Sequence, residues 1–243
     1  TEHLKSQKYD GLEFPDLYFF QPKKLFLIKD NNVEIQYLQM VDDEIEQDLL
    51  EIEQSNSPLI EQSSHPIKIK LRIHKDEYFE KVNRMLAHIH RGDIYEANFC
   101  QEFYAEDSEI NAIETFKKLN KISKPPFATF LKTGDKYLMS ASPERYIKKS
   151  GSSVISQPIK GTAKRSLDST EDKKLKEVLS KDEKERSENI MITDLVRNDL
   201  SRVAKKGTVA VQELCKIYTF EQVHQMISTI VCEVPESIRP VEI

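Results

Sequence analysis

The chain has 243 residues and a formal net charge of −5 at neutral pH, with 32% charged and 38% hydrophobic residues. This composition is typical of a globular protein with one large or two small domains. The acidic balance argues against general nucleic-acid binding, which needs a basic surface. No apolar run is long enough to cross a membrane, so we expect no membrane association.

The cysteines further restrict the class of protein to which this chain can belong. Cys100, Cys215 and Cys232 are far apart and lack the close spacing of a zinc site or a disulfide framework. No basic and apolar leader opens the sequence, which gives no indication of secretion. Together these features predict a cytoplasmic protein with reduced, buried thiols.

The N-terminal part alternates short apolar runs with turn residues. We predict strands at residues 18–20 and 24–29, with a turn at 30–32. Residues 42–65 are acidic and then polar, which predicts a surface helix followed by a loop.

Residues 76–91 show the clearest helical periodicity, with Asp76 as a candidate cap and Gly92 as the stop. The apolar positions on one face are Tyr78, Val82, Met85, Leu86 and Ile89. Residues 94–103 then alternate apolar and polar side chains, which predicts a half-buried strand.

A short helix is expected at 112–119, followed by hairpin strands at 127–132 and 136–142. A second hairpin turns at Ser150-Gly151, and its second strand, 154–158, leads to Lys160. The very polar stretch 166–182 predicts a mobile segment.

A helix is predicted over 183–199 with its apolar side chains inward, and strands are predicted near 209–214 and 223–231. The last segment is ambiguous, because its β-branched residues favour a strand although a helix is possible. The inward side chains of the helix are predicted to be Ile190, Met191, Leu195 and Val196. Because strands outnumber helices and hairpins are frequent, we predict an α+β fold of mainly antiparallel sheets with helices packed outside.

Two carboxylates stand three residues apart on the helix predicted over 183–199. Glu185 and Glu188 therefore lie on one side of it, within reach of a single cation. Oxygen ligands suit Mg²⁺, which takes few protein carboxylates. The alternative is an ordinary solvated helix start, where acidic residues are favoured.

Lys160 is a candidate amine nucleophile. A lysine beside a bound divalent cation loses its proton more easily than one in water, because like charges disfavour the ammonium form. Gly161 permits close approach of the backbone to a ligand, and the amides of Gly161 and Thr162 can hold a carboxylate. The alternative is a strand-end lysine in solvent.

Three further sites have weaker signals. Glu144, after Pro143 at a strand exit, is a candidate general acid, although Ser-Pro-Glu alone indicates only a turn. His224 lies in an apolar stretch, where a lone histidine is more often a satisfied core residue than a ligand. Arg197 and Asp199 are interpreted as structural partners.

Taken together, these motifs resemble those of the chorismate-utilising enzymes, the family of anthranilate synthase component I and aminodeoxychorismate synthase. The resemblance covers residues 75–243 in six ordered strings. They are GDIYEANF at 92–99, SASPER at 140–145, PIKGT at 158–162, ERSEN at 185–189, DLVRND at 194–199 and VHQMIS at 223–228. It implies two facing, mainly antiparallel sheets, with residues 1–74 as a strand-rich region completing the sandwich.

The resemblance also implies a reaction. Anthranilate synthases usually carry alanine at the position of Lys160, whereas aminodeoxychorismate synthases are similar to this chain. Chorismate and ammonia would then give 4-amino-4-deoxychorismate, with Lys160 as nucleophile and Glu144 as proton donor. Glu188 and Glu185 would hold Mg²⁺, and a glutamine amidotransferase partner would supply the ammonia. Contacts with substrate are implied for Gly161, Thr162 and His224.

The family pattern normally continues beyond this sequence with further substrate and metal motifs. The resemblance therefore implies a chain truncated at its C-terminus, which lacks part of both sites. Two alternatives remain open at this point: anthranilate synthase component I, and a truncated, non-catalytic chorismate-binding relative.

Overall fold

The computed structural model describes residues 8–55 and 66–243. The chain divides into two compact units, Thr1–Asn111 and Ala112–Ile243. The division predicted at residue 74 rests on family resemblance rather than on compactness, and it stays a prediction. In the two described ranges, no helix combines the length and apolar character needed to span a bilayer.

The first unit opens with a hairpin. Strand β1 (Lys24–Lys29) pairs antiparallel with β2 (Asn32–Tyr37), as the turn signal between them predicts. Helix α1 (Ile45–Gln54) confirms the predicted acidic helix. The loop predicted after it falls largely on residues 56–65, outside the described residues. The strand predicted at 18–20 is wrong, because these residues form no ladder.

Helix α2 (Lys75–His90) confirms the strongest periodic signal in the sequence. It ends just before Gly92, as predicted. Its N-cap residue is His74 rather than Asp76, and no side chain caps the helix there. The apolar periodicity therefore determines the helix, whereas its exact start depends on local backbone geometry.

The strand predicted over residues 94–103 is wrong for most of its length. Only β4 (Phe103–Tyr104) is a strand, and it pairs with β3 (Lys70–Leu71). Alternation of apolar and polar residues indicates an extended segment, but a strand also needs a hydrogen-bonded neighbour. Within the described residues the ladder supplies that neighbour only at 103–104.

The second unit begins with α3 (Ala112–Ser123) and the hairpin of β5 (Phe127–Thr133) and β6 (Lys136–Ser142). These elements confirm the predicted helix and hairpin. Every strand pairing in the described ranges is antiparallel, which confirms the mainly antiparallel α+β class.

A five-stranded sheet forms the centre of the second unit. Its strands are β7 (Arg145–Ser150), β8 (Ser153–Gln157), β9 (Ile159–Lys164), β10 (Ala210–Thr219) and β11 (Val223–Glu233). Strand β11 is central: it pairs with β10 on one side, and with β8 and then β9 on the other. The ambiguous segment at 223–231 is thus a strand, as its β-branched residues favour.

Two helices pack on this sheet. Helix α4 (Ser169–Lys181) is capped by Asp168, whose side chain accepts from the amides of Thr170 and Glu171. The prediction of a mobile stretch here is wrong, because this cap and the buried Leu179 anchor a segment with little apolar periodicity.

Helix α5 (Glu183–Ser201) confirms the second predicted helix, but its buried face differs from the prediction. Ile190 and Leu195 are exposed, at 37% and 52%. The buried positions include Asn189 and Thr193. The prediction is confirmed for Val196, which packs against the core cluster that contains Leu200, and is wrong for Ile190 and Leu195. Hydrophobicity misses Asn189 and Thr193, because these polar residues have hydrogen-bond partners where they point inward.

Candidate active site

The Lys160 segment forms a β-bulge. In the β9–β11 ladder, Ile159 lies opposite Ile227 and Thr162 lies opposite Gln225. Two residues of β9, Lys160 and Gly161, therefore face the single residue Met226. A bulge of this kind disrupts the ladder and changes the direction of a side chain, and bulges are frequent next to active sites.

Glu144 lies beside the same bulge. Its carboxylate accepts a hydrogen bond of 2.9 Å from the backbone amide of Ile159, the residue before Lys160. The Glu144 amide in turn donates to the Ser142 hydroxyl over 3.2 Å, which stabilises the turn after β6. The structure thus brings the predicted acid to the residue that precedes the predicted nucleophile, although Glu144 and Lys160 are 16 residues apart in the sequence.

Glu185 reaches the bulge from the opposite element, α5. A Cβ atom on Gly161 would lie 3.1 Å from Glu185 Cβ and 3.2 Å from Glu185 Oε2. Gly161 also has φ of +97°, a backbone conformation that side-chain-bearing residues rarely adopt. Both constraints favour glycine here. The first results from the close approach of α5, and the second belongs to the backbone of the bulge.

Glu188 and Glu185 share one cationic neighbour, Lys184. The Lys184 ammonium lies 3.4 Å from Glu188 Oε1 and 3.8 Å from Glu185 Oε1. The two carboxylates raise the pKa of Lys184, Glu188 having the larger effect. Their negative charge is therefore directed to one place on the surface of α5.

This donor set suits a magnesium ion with few protein ligands. Residues 8–55 and 66–243 contain no group of three or more His, Cys, Asp or Glu side chains arranged to hold a metal. Mg²⁺ commonly binds to one or two carboxylates and completes its shell with water and substrate oxygens. Glu185 and Glu188 fit that pattern and do not fit an all-protein cage.

Asn189, which sequence reasoning passed over, connects the helix to the bulge. Its side chain is fully buried and donates to the carbonyls of Lys160 over 3.3 Å and Met226 over 3.1 Å. Its Oδ1 accepts from the Ser228 hydroxyl. A signal was present in the sequence: Glu185, Asn189 and Thr193 recur every four residues and so share one helix face.

Thr162 and His224 have different surroundings. Thr162 is exposed on β9, opposite Gln225. His224 is 1% exposed, and both ring nitrogens have protein partners: Nε2 is 3.0 Å from Asp172 Oδ1 and Nδ1 is 3.0 Å from Thr219 Oγ1. These contacts match the alternative of a satisfied core histidine, and the predicted role of His224 in substrate binding stays a prediction.

The partner of His224 belongs to an ionic cluster. Asp172 accepts from Arg165 Nε at 2.9 Å, and from the Ser166 amide at the same distance. The Arg165 guanidinium, followed by the Ser166 amide, holds the pKa of the Asp172 carboxyl far below its usual range. This cluster connects α4 to the end of β9 and to β11.

The pairing predicted for Arg197 and Asp199 is wrong. Arg197 pairs instead with Asp194, three residues before it, at 2.8 Å. On a helix, residues three apart share a side, whereas residues two apart point in different directions.

Comparison with known proteins relates this chain to one family. The family model described as chorismate binding enzyme matches residues 1–243. Aminodeoxychorismate synthase component 1 of Salmonella typhimurium is 38% identical over 167 residues, which are 69% of this chain and 37% of that protein. Anthranilate synthase component 1 of Bacillus subtilis is 34% identical over 168 residues, 69% of this chain and 32% of that protein.

Solved structures agree on the fold. The crystal structure of anthranilate synthase component I from Streptococcus pneumoniae superimposes with a TM-score of 0.73 at 23% identity, over 86% of this chain and 48% of that one. This chain spans about a third to a half of the length of the curated relatives it matches. The sequence match and the shared fold agree, and the chain belongs to the chorismate binding enzyme family.

Proposed function

We propose that this chain is the chorismate-binding region of an aminodeoxychorismate synthase component I. In this proposal it converts chorismate and ammonia to 4-amino-4-deoxychorismate, a precursor of p-aminobenzoate and folate. The observation that supports it best is the β-bulge at Lys160. The Glu144 carboxylate contacts the Ile159 amide at the start of this bulge, and Glu185 lies against Gly161 within it.

The first step uses the lysine and the acid. The Lys160 amine adds to C2 of chorismate, the two conjugated ring double bonds both shift towards C4, and the C4 hydroxyl departs. Glu144 supplies the proton that lets this hydroxyl leave as water. The hydrogen bond from the Ile159 amide fixes one carboxyl oxygen of Glu144, so the proton is delivered from a defined position.

The second step uses ammonia. Ammonia adds to C4, both double bonds shift back, and the bond between C2 and the Lys160 nitrogen breaks. Two displacements of this kind replace one difficult substitution and retain the face of attack. When bound, Mg²⁺ held by Glu185 and Glu188 would neutralise the ring carboxylate and make the ring a better electrophile. The backbone amides of Gly161 and Thr162 would position the substrate.

The proposal includes a partner and a compartment. Free ammonia is scarce at neutral pH, so we propose a glutamine amidotransferase subunit as its source. The relatives named component 1 support this part by their names. The three cysteines are free thiols, which supports the reducing cytoplasm as the location that we propose. Cys215 and Cys232 are buried as predicted, whereas the prediction of burial is wrong for Cys100, which is exposed.

The test is an assay of the full-length protein with chorismate, ammonium and Mg²⁺, coupled to a lyase that releases p-aminobenzoate. We expect Lys160→Ala to lower kcat by a factor on the order of 10³ or more, because nucleophilic catalysis is lost, with much less change in KM. Lys164→Ala is the matched control, since Lys164 is an exposed lysine on the same strand. It should behave as wild type.

Three results would contradict the proposal or the role that it gives to Lys160. Fluorescent anthranilate formed directly, without the lyase, would assign the protein to the anthranilate synthases. A full-length protein that retains Lys160, Glu144 and Glu188 and binds chorismate with Mg²⁺ present, but converts none of it, would support a non-catalytic chorismate-binding relative. Equal kcat for Lys160→Ala and wild type would exclude the lysine as covalent catalyst.

A further inference from the structure

We infer that Asn189 is a positioning residue that holds the β-bulge of Lys160 in its reactive shape. This inference rests on the proposed function, since it concerns the nucleophile of that reaction. Asn189 lies next to Glu188 on α5, and its buried amide contacts both sides of the bulge. It would act on the chemistry only through the backbone of Lys160.

The β-bulge leaves backbone groups that require hydrogen-bond partners outside the ladder, and Asn189 provides such partners. Extra residues in one strand interrupt the ladder and leave backbone groups without their regular partners. A buried carbonyl without a donor costs about 1–3 kcal/mol, so such groups are nearly always satisfied. The two N–H groups of Asn189 Nδ2 are directed at two carbonyls, one on each strand: Lys160 on β9 and Met226 on β11.

The Oδ1 atom of the Asn189 side chain is connected to a second β-bulge, which lies in β10. In the β10–β11 ladder, Leu214 and Cys215 face the single residue Ser228. Cys215 has a left-handed φ of +52°, and its amide donates to the Ser228 hydroxyl over 2.9 Å. That hydroxyl donates to Asn189 Oδ1. Asn189 is therefore held between two bulges that flank the central strand.

The orientation of the Asn189 amide is determined by its neighbours. Carbonyl oxygens only accept hydrogen bonds, so the NH₂ group must face Lys160 and Met226. If the Asn189 amide were rotated by half a turn, its Oδ1 atom would face the two carbonyl oxygens and neither would receive a hydrogen bond. Because Glu185 and Glu188 are on the same helix, this contact also connects the helix that carries both carboxylates to the backbone of Lys160. No apolar residue of similar size can satisfy both carbonyls.

The experiment compares Asn189→Leu with Thr193→Val in the full-length protein. Thr193 is the matched control: it is buried one turn further along the same helix face, and its hydroxyl donates within the helix, to the Asn189 carbonyl at 2.8 Å. Two readouts are measured, namely amide hydrogen exchange in residues 159–164, and kcat and KM for chorismate.

We expect Asn189→Leu to raise exchange in that segment about tenfold or more, because two local hydrogen bonds are lost. We expect kcat to fall about tenfold or more with KM little changed, since misplacing a reacting group lowers the rate of the chemical step. Thr193→Val should leave both readouts within about twofold of wild type, because its bond does not reach the bulge.

If Asn189→Leu does not fold, Asn189→Ala serves as the second variant, because it leaves room for water and favours the helix. Exchange and kcat no different from those of Thr193→Val, in whichever variant folds, would overturn the inference. The exchange readout needs no turnover. It therefore still tests the role of Asn189 if Lys160→Ala shows that the proposed function is wrong.

Discussion

The two helices on the central sheet are fastened by different chemistry. Helix α4 is held by an ionic cluster, in which Asp172 contacts Arg165 and His224. Helix α5 is held by a neutral cluster, in which Asn189 bonds to Ser228 and to backbone carbonyls. Both helices lie on one face of the sheet, since His224 and Ser228 are four residues apart on β11 and a strand alternates every two.

The difference indicates how charge is distributed around the candidate site. The ionic cluster is at the far end of β9, beyond Lys164, whereas the neutral cluster is directly beneath Lys160. The side-chain cluster that supports the Lys160 backbone therefore carries no charge, whereas the carboxylate of Glu185 lies against Gly161.

The largest effect on stability is expected from a substitution that removes an apolar contact between α4 and the sheet. Leu179 is buried with Cys215 and Met226. Leu179→Ala should lower the free energy of unfolding by about 2–4 kcal/mol, through lost burial and the cavity left behind. The neighbouring Val178→Ala is the control: Val178 is exposed, and its change should stay within about 0.5 kcal/mol. Denaturant titration measures both, and equal losses would contradict the packing.

The next largest effect on stability is expected from removing the negative charge of the ionic cluster. Asp172→Asn keeps the shape of the side chain but removes the carboxylate that pairs with Arg165. We expect a lower Tm at pH 7, by less than for Leu179→Ala. Because the folded-state pKa of Asp172 is depressed, its stabilising contribution is complete above the unfolded-state pKa of about 3.9. The contribution is lost as the pH falls through the folded-state pKa.

The stability difference between wild type and Asp172→Asn should therefore be constant from about pH 7 to pH 5 and should narrow below about pH 4. Thermal unfolding at a series of pH values measures it. A difference that keeps its full size down to about pH 3, or one that is absent at pH 7, would show that the ion pair does not stabilise the fold.

The smallest effect concerns the neutral cluster. Ser228→Ala removes the hydroxyl that accepts a hydrogen bond from the Cys215 amide and donates one to Asn189 Oδ1. This substitution should lower the free energy of unfolding by about 1–2 kcal/mol. Burial raises the pKa of the Cys215 thiol, so the cluster stays uncharged and the loss should be the same from about pH 5 to pH 8. Ser201→Ala, at an exposed position on α5, is the control. A loss that varies across this pH range would contradict a neutral cluster.

Sequence reasoning located most helices and hairpins of the second unit correctly, because local periodicity and turn residues carry that information. It failed where a distant partner decides the outcome. Residues 94–102 have the alternation of a strand, but the described residues give them no ladder partner. The polar stretch containing Asp172 looked mobile, but it forms a helix because Asp172 and Leu179 find partners on the sheet.

For the candidate site, the sequence determined which chemical groups are present and which of them share a helix face, because residue type and helical spacing are local properties. Only the tertiary structure brought Ile159 to Glu144 and Lys160 to Asn189, across 15 and 29 residues of chain. Those contacts depend on the ladder register and on the bulge at Gly161, which result from packing the whole sheet against its helices.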